Sequence, residues 1–183
     1  MRQKTQAELA RPGAAVAKTL PRTPLTLVLE NVRSGHNVGA LFRTADAFAL
    51  AGLALVGFTP QPPHREILKT SLGAEASVPW THYPSIADAV DALRQNGTHV
   101  LALEQTTESV AVTPAGFGDS LVAPGGLAIV LGNEVRGVSQ AALDLCDGAV
   151  EIAQYGSKHS LNVSVAAGIV AYLATAASRD RGG

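Results

Sequence analysis

The stretch LTLVLENVRSGHNVGALFRTADAFALAGLALVGF, residues 25–58, decides the fold class of this chain. Its first six residues, 25–30, are an apolar run that predicts a short β-strand. A helix is predicted to follow, with Asn37 near its start and Gly52 past its end. Residues 53–58 predict a second strand. Strands that are apolar throughout are typical of a parallel sheet covered on both faces, so the stretch predicts a β–α–β unit.

The same alternation of strands and helices continues along the chain. Further strands are predicted at 98–104, 126–132 and 149–153, and further helices at 84–96, 138–146 and 160–177. This order predicts a single α/β domain built on a parallel sheet. We assign residues 1–24 to a basic leader with one short helix over Lys4–Ala10, residues 25–178 to the domain, and residues 179–183 to a tail.

Composition narrows the class of protein. The 183 residues suffice for one domain with a substantial core, and only 16% of them are charged. No apolar run reaches the roughly 18 residues that a membrane span needs, and the N-terminus carries no apolar signal segment. Cys146 is the only cysteine, and the five histidines are scattered without metal-binding spacing. We therefore expect a cytoplasmic protein with no membrane anchor and no metal.

Charge gives no global sign of a nucleic-acid partner, because the net charge is −1. Two local groups of cations stand out. The leader carries Arg2, Lys4, Arg11, Lys18 and Arg22 against a single Glu8. A second group, His64, Arg65 and Lys69, belongs to a proline-rich loop. On charge alone, solvated surface is the favoured interpretation of both groups, and binding of an anionic partner is the alternative.

The junctions between strands and helices carry no dinucleotide-binding or phosphate-binding motif. Neither GxGxxG nor GxxxxGKS/T occurs in the chain. Polar segments instead follow three predicted strands: LEQTTES at 103–109, GNEVRG at 132–137 and AQYGSKHSLN at 153–162. Because ligands bind at the carboxyl ends of strands in an open parallel sheet, these segments predict one shared pocket.

The stretch YGSKHSLNVSVAAGIVAYL, residues 155–173, puts polar residues directly before a run of small apolar ones. The apolar residues suit the buried stripe of the final helix. Ser160 and Asn162 have two interpretations of about equal weight. They can cap free backbone N–H groups at the helix start, or they can face a ligand.

Three segments together resemble the motifs of a known family. They are NVRSGHNVGALFRTADAF at 31–48, IVLGNEVRGVS at 129–139 and EIAQYGSKHSLNVSVAAGI at 151–169. In this order they are similar to the motifs of SpoU-type RNA 2′-O-ribose methyltransferases of the SPOUT superfamily, and the resemblance covers roughly residues 25–175. It implies an α/β domain with a deep trefoil knot in its C-terminal part, an exception to the rule against threaded chains. It also implies a homodimer, an RNA substrate and S-adenosylmethionine as methyl donor.

The resemblance assigns roles to particular residues. It gives the catalytic site as Arg43, Asn37, Glu134, Ser160 and Asn162, and the methyl-donor site as Leu103, Gly132, Ile152 and Leu161. Arg43 is placed near the ribose 2′-hydroxyl. Because an arginine side chain stays protonated in proteins, we expect it to orient the hydroxyl and the phosphate and to stabilise developing negative charge. Glu134 is expected to shape the site rather than to transfer a proton.

The chain departs from the family pattern at two positions. Ala153 stands where the third motif usually has proline, and Val135 stands where a glycine is frequent. The segments 103–109 and 153–162 look most like members that modify a guanosine ribose in tRNA, so tRNA is favoured over rRNA. Two other classes stay open: a non-catalytic RNA-binding protein on the same fold, and a small-molecule hydrolase suggested by the serines and histidine of 156–160, although no GxSxG elbow is present.

Overall fold

The computed structural model describes residues 1–9, 19, 21–113, 117 and 121–180 of the chain. In the leader, helix α1 spans Gln6–Leu9, inside the predicted range. The proline and glycine at 12–13, expected to break that helix, lie outside the described residues. The division into leader, domain and tail stays a prediction.

The described part of the chain forms one parallel sheet of seven strands. They are β1 Thr23–Glu30, β2 Leu50–Val56, β3 Trp80–Tyr83, β4 His99–Leu103, β5 Val110–Ala111, β6 Leu127–Leu131 and β7 Gly148–Glu151. Their order across the sheet is β3-β2-β1-β6-β4-β7-β5, and each neighbouring pair is parallel. The predicted single α/β domain with a parallel sheet is therefore confirmed.

Helices cover both faces of this sheet. They are α2 Gly35–Ala47, α3 Arg65–Ser71, α4 Ile86–Gln95, α5 Gln140–Leu145 and α6 Val163–Asp180, with a 3₁₀ turn at Ala74–Ala76. None of the helices in the described ranges is long and apolar enough to cross a membrane.

The central strand β6 shows why the strands read as continuous apolar runs. Leu127, Ile129 and Leu131 belong to the core on the side of α2 and α6. Ala128 and Val130 belong to the core on the side of α4 and α5. All five side chains are buried. Because both faces are dry, neither set of alternate positions is polar.

The helix predicted to run up to Gly52 ends earlier. α2 stops at Ala47, and Ala49 takes a left-handed backbone conformation with φ of 48°. This turn lets β2 begin at Leu50, three residues before the predicted start. The residues around the turn are apolar and suit a helix and a strand equally, so their periodicity does not place the boundary.

Three short elements, α3, β3 and β5, were not predicted from the sequence. The final helix also starts later than predicted, at Val163 rather than at residue 160. Ser160 and Asn162 therefore precede the helix and do not lie within its first turn.

Candidate functional site

The carboxyl ends of β6, β4 and β7 lie side by side, and the segments that follow these three strands enclose one cavity. Its volume is about 610 Å³, which is in the range of small-molecule sites. The lining residues fall within 103–105, 131–138, 151–154 and 159–166. The three polar segments expected to share a pocket therefore do so.

The segment after β6 is a tight loop closed by Asn133 and Gly137. The Asn133 N–H donates to the Gly137 carbonyl (3.0 Å), and the Gly137 N–H donates back to the Asn133 carbonyl (2.8 Å). A Cβ on Gly132 would lie 2.0 Å from the carbonyl carbon of Gly137, and Gly137 itself has a φ of 68°. Both positions therefore require glycine. Val135 has no left-handed backbone conformation, so the loop accommodates valine in place of the family's glycine.

Glu134, at the tip of this loop, reaches across to the start of α2. Its carboxylate accepts hydrogen bonds from the Arg33 N–H (2.9 Å), the Ser34 N–H (3.0 Å) and the Asn37 side-chain amide (2.9 Å). Burial opposes ionisation of Glu134, but the hydrogen bonds from Arg33, Asn37 and Ser34 outweigh it and lower its pKa. Glu134 is thus an anion that holds the first motif against the second.

Asn162 joins the third motif to the same group. Its Oδ1 accepts from the Ser164 N–H (2.8 Å), as expected of a residue that caps α6. Its Nδ2 donates to Oδ1 of Asn37 (3.2 Å). One amide therefore caps the helix and also contacts Asn37, so the capping interpretation of Asn162 is confirmed and the ligand-facing interpretation stays a prediction. We call Asn37, Glu134 and Asn162 the site cluster.

A second carboxylate contact, between Glu30 and Ser139, lies deeper in the protein than the site cluster. Glu30, which is 4% exposed, accepts from the N–H (3.0 Å) and the hydroxyl (2.5 Å) of Ser139. Beside it, the Asn133 side-chain amide donates to the Asn31 carbonyl (2.8 Å). We call Glu30 and Ser139 the buried anchor. Sequence reasoning missed Glu30; the signal available was a carboxylate closing an otherwise apolar strand.

The four residues expected to bind the methyl donor, Leu103, Gly132, Ile152 and Leu161, all line the cavity. Two lining residues next to Leu103 lie in the segment that was predicted to share the pocket, but they were not singled out as site residues. Glu104 accepts from the Val138 N–H (2.9 Å), and the Gln105 side-chain amide donates to the His159 carbonyl (2.8 Å). Their position directly after a strand that ends at the pocket was the signal that could have identified them.

The two remaining predicted catalytic residues differ in position. Ser160 is exposed and lines the cavity. Arg43 is also exposed, but it lies on the outer surface of α2 and does not line the cavity. The fold of one chain therefore gathers Asn37, Glu134, Ser160 and Asn162 and leaves Arg43 apart from them. Among the described residues, no three His, Cys, Asp or Glu side chains are grouped as a metal site.

Known proteins are similar to this chain in sequence and in fold. The sequence profile of the SpoU rRNA Methylase family matches residues 24–172. A protein of Archaeoglobus fulgidus named as an uncharacterized tRNA/rRNA methyltransferase is 35% identical over 157 residues, which are 86% of this chain and 66% of that protein. The chain therefore spans slightly less than two thirds of the length of this relative.

Two solved structures are similar to the whole domain. The TrmH/SpoU tRNA modifying enzyme of A. aeolicus has a TM-score of 0.77 and 25% identity, covering 92% of this chain and 84% of that one. The SpoU methyltransferase AviRb from Streptomyces viridochromogenes, in complex with AdoMet, has a TM-score of 0.73 and 27% identity, covering 90% of this chain and 63% of that one. Because the matched range 24–172 runs from the first strand into α6 and includes every residue of the site cluster and the buried anchor, the chain belongs to the SpoU rRNA Methylase family.

Proposed function

We propose that this protein methylates a ribose 2′-hydroxyl in RNA with S-adenosylmethionine as methyl donor, and that its substrate is a tRNA nucleoside, with guanosine favoured. The observation that carries the proposal is the site cluster: Asn37, Glu134 and Asn162 come from three distant segments and are hydrogen-bonded together beside one cavity. Methyl transfer depends on holding a nucleophile and a methyl group in line, which needs fixed polar groups of this kind.

The cavity fits the methyl donor in size and in chemistry. Leu103, Ile152 and Leu161 offer apolar walls suited to an adenine ring. Glu104 and Glu151 are among the lining residues, and their negative charge suits the cationic sulfonium and ammonium groups of the donor. When bound, S-adenosylmethionine supplies an electrophilic methyl group.

The chain's own residues orient the ribose. We assign to Arg43 the positioning of the 2′-hydroxyl and its neighbouring phosphate, because a guanidinium can grip phosphate with two parallel hydrogen bonds. Its charge stabilises the negative charge that develops on the 2′-oxygen. Ser160, in the cavity lining, offers a hydroxyl that can donate to or accept from the ribose.

A homodimer would explain why Arg43 lies outside the cavity of its own chain, since one protomer would complete the site of its partner. The support is an exposed apolar strip on α6, formed by Val165, Ile169 and Tyr172. The spacing of these residues places them on one side of the helix. Tyr172 also packs edge-on against Phe48, just past the end of α2, with ring centroids 6.2 Å apart. The strip therefore runs next to the helix that carries Arg43.

The proposal extends to the knot and to the cellular site. We place a deep trefoil knot in the C-terminal part of the domain and the protein in the cytoplasm. The support for the knot is that β6 lies between β1 and β4 in the sheet, and that 153–162 passes the loop after β6 before α6 packs on α2 and β1. The support for the cytoplasm is the proposed tRNA substrate together with the single cysteine, since disulfide-bonded pairs are typical of exported proteins.

Transfer of a labelled methyl group from S-adenosylmethionine to purified tRNA and to purified rRNA tests the proposed reaction. We expect incorporation into tRNA, recovered after alkaline hydrolysis as a dinucleotide that resists cleavage because its 2′-oxygen is blocked. Incorporation into rRNA alone would show that rRNA, not tRNA, is the substrate. We keep rRNA as the second candidate because the Archaeoglobus relative is named for both RNAs. RNA binding without transfer to either RNA would support the non-catalytic alternative.

Replacement of Arg43 tests its assigned role. We expect Arg43→Ala to lower methyl transfer by about 100-fold or more, because it removes a group that stabilises transition-state charge. Binding of S-adenosylmethionine, measured by calorimetry, should stay within a few-fold, since Arg43 does not line the cavity. Arg179→Ala, which removes an exposed charge from the last turn of α6, is the matched control. Near wild-type activity of Arg43→Ala would show the assignment to be wrong.

A further inference from the structure

Phe58 is an exposed aromatic side chain at the same edge of the sheet as the cavity. It follows β2 directly and is 63% exposed. Its N–H donates to Oδ1 of Asn31 (3.3 Å), and the Asn31 carbonyl accepts from the side chain of Asn133 (2.8 Å). Two hydrogen bonds therefore connect Phe58 to the loop that lines the cavity.

The backbone around Phe58 is held in place. The next residue, Thr59, is buried, and its hydroxyl lies 2.8 Å from the Leu29 carbonyl and accepts from the Val32 N–H (3.1 Å). Prolines at 60, 62 and 63 then fix the backbone dihedral φ of the following loop. An aromatic ring that is exposed on a fixed backbone loses little conformational freedom when a partner covers it.

Helix α3, which follows this loop, presents cations with no partner. Arg65 and Lys69 are one turn apart, so they share one side of the helix, and both are exposed. Within the described ranges, neither side chain makes a hydrogen bond or an ion pair, and the same holds for Arg33 and Arg43.

The carboxylates of the same region are already engaged. Glu66 pairs with the His36 ring, with 3.5 Å between Oε2 and Nδ1. Asp46 accepts from the Ser77 hydroxyl (2.7 Å), and Glu75 accepts from the Ser71 hydroxyl. None of these three carboxylates forms an ion pair with Arg65 or Lys69, so both side chains can bind an outside anion.

Helix α3 is tightly packed against the start of α2, where Asn37 lies. The Thr70 hydroxyl lies 3.2 Å from the His36 carbonyl oxygen. A Cβ on Gly39 would lie 2.0 Å from Oγ1 of Thr70, so the two helices are as close as glycine permits. The cations of α3 therefore lie on a helix that packs directly against α2, the helix that carries Asn37 of the site cluster.

We propose that Phe58, Arg65 and Lys69 form a surface, the RNA platform, that binds a single-stranded segment of the substrate RNA next to the reacting nucleotide. An unpaired base stacks on Phe58, and flanking phosphates bind Arg65 and Lys69. The proposal rests on the proposed function and adds to it where and in which form the RNA is held. Unpaired cations on the helix that follows an exposed ring match an anionic chain of aromatic bases.

Substitutions of Phe58 test the stacking. The probes are a fluorescein-labelled RNA of about 12 nucleotides and the same sequence annealed into a duplex, with binding followed by anisotropy. Phe58→Leu keeps an apolar side chain but loses the ring, and we expect it to weaken single-strand binding about 5- to 100-fold with little effect on the duplex. Phe58→Trp, which keeps a stacking surface, should bind as the wild type does.

Substitutions on α3 test the phosphate contacts. Each contact to a single strand contributes about 0.7 to the slope of log affinity against log salt, so Arg65→Ala/Lys69→Ala should reduce the slope by about 1.4. Arg179→Ala, near the far end of α6, should leave the slope unchanged although it also removes a positive charge.

The outcomes separate the platform from the proposed function. If the wild type binds and methylates RNA but Phe58→Leu and the α3 double variant bind it equally well, the platform is wrong and the proposed function stands. If Phe58→Leu instead changes the oligomeric state in ultracentrifugation, the surface is an interface between copies, and the platform is again wrong. If the wild type neither binds nor methylates RNA, both proposals fail.

Discussion

The buried anchor joins the last residue of β1 to the segment after β6, and the site cluster joins the segment after β1 to that same segment, but the two contacts differ in burial. In the buried anchor, Glu30 is 4% exposed and accepts two hydrogen bonds from Ser139. In the site cluster, Glu134 is exposed and accepts from Arg33, Ser34 and Asn37. In both contacts a glutamate carboxylate thus accepts hydrogen bonds from another segment of the chain, once within the core and once at the surface.

Burial decides what each carboxylate contributes. A buried donor that loses its acceptor cannot turn to water, and the cost is about 1–3 kcal/mol for each group. An exposed donor that loses its acceptor is rehydrated, so the net loss of stability is small. We therefore expect the buried anchor to stabilise the fold and the site cluster to set the geometry of the reaction.

The largest effect on stability should come from Glu30→Ala. The substitution leaves the N–H and hydroxyl of Ser139 without their acceptor in a half-buried position, and we expect the free energy of unfolding in urea to fall by about 3 kcal/mol. Ser139→Ala removes the other partner, and a double-mutant cycle isolates the contact. If Glu30→Ala unfolded at the same urea concentration as the wild type, the buried anchor would not stabilise the fold, and our distinction between it and the site cluster would be wrong.

Glu134→Gln should act on the reaction rather than on the fold. We expect methyl transfer to fall by about 10- to 100-fold, because Asn37 and the start of α2 are no longer held in register with the loop after β6. Urea unfolding should change by less than about 1 kcal/mol. Glu108→Gln, which removes an exposed carboxylate outside the site cluster, is the matched control for charge. A loss of stability as large as that of Glu30→Ala would contradict our assignment of the two roles.

Two substitutions of Asn162 separate its two hydrogen bonds. Asn162→Ala loses the helix cap and should cost about 1 kcal/mol of stability. Asn162→Asp keeps an acceptor for the Ser164 N–H but loses the donor to Asn37, so stability should be retained while methyl transfer falls. If both variants were equally unstable in urea, the cap would not be the source of the stability effect.

The smallest effect should appear in the pH dependence of stability. Because the pKa of Glu134 is lowered in the folded state, its contribution is fully present above the ordinary glutamate value of 4.5 and is lost as pH falls through the folded-state pKa. Between pH 7 and pH 3, the wild type should therefore lose slightly more stability than Glu134→Gln, by less than about 1 kcal/mol because the group is exposed. Equal losses would indicate that Glu134 is not stabilised as an anion.

Some features of this protein follow from its sequence because they depend on neighbours along the chain. The buried strand β6 was predicted since both of its faces are apolar, and Asn162 was identified as a candidate cap since it precedes a run of helix-compatible residues. The boundary between α2 and β2 was placed wrongly, because Ala49 carries no local signal of its left-handed conformation. Helix α3 was missed because a seven-residue helix after three prolines shows too few turns for periodicity to register.

By itself, the sequence determined the α/β class, the three polar segments after the strands and the family whose motifs they match. Only the tertiary structure decided which of those polar residues touch. Glu134 meets Asn37 across 97 residues of chain, and Asn162 meets it across 125, and no local rule encodes contacts at such separations. The tertiary structure also placed Arg43 outside the cavity and Glu30 within the core. The physical reason is that burial and long-range hydrogen bonding are set by how the strands are ordered in the sheet, which no single segment specifies.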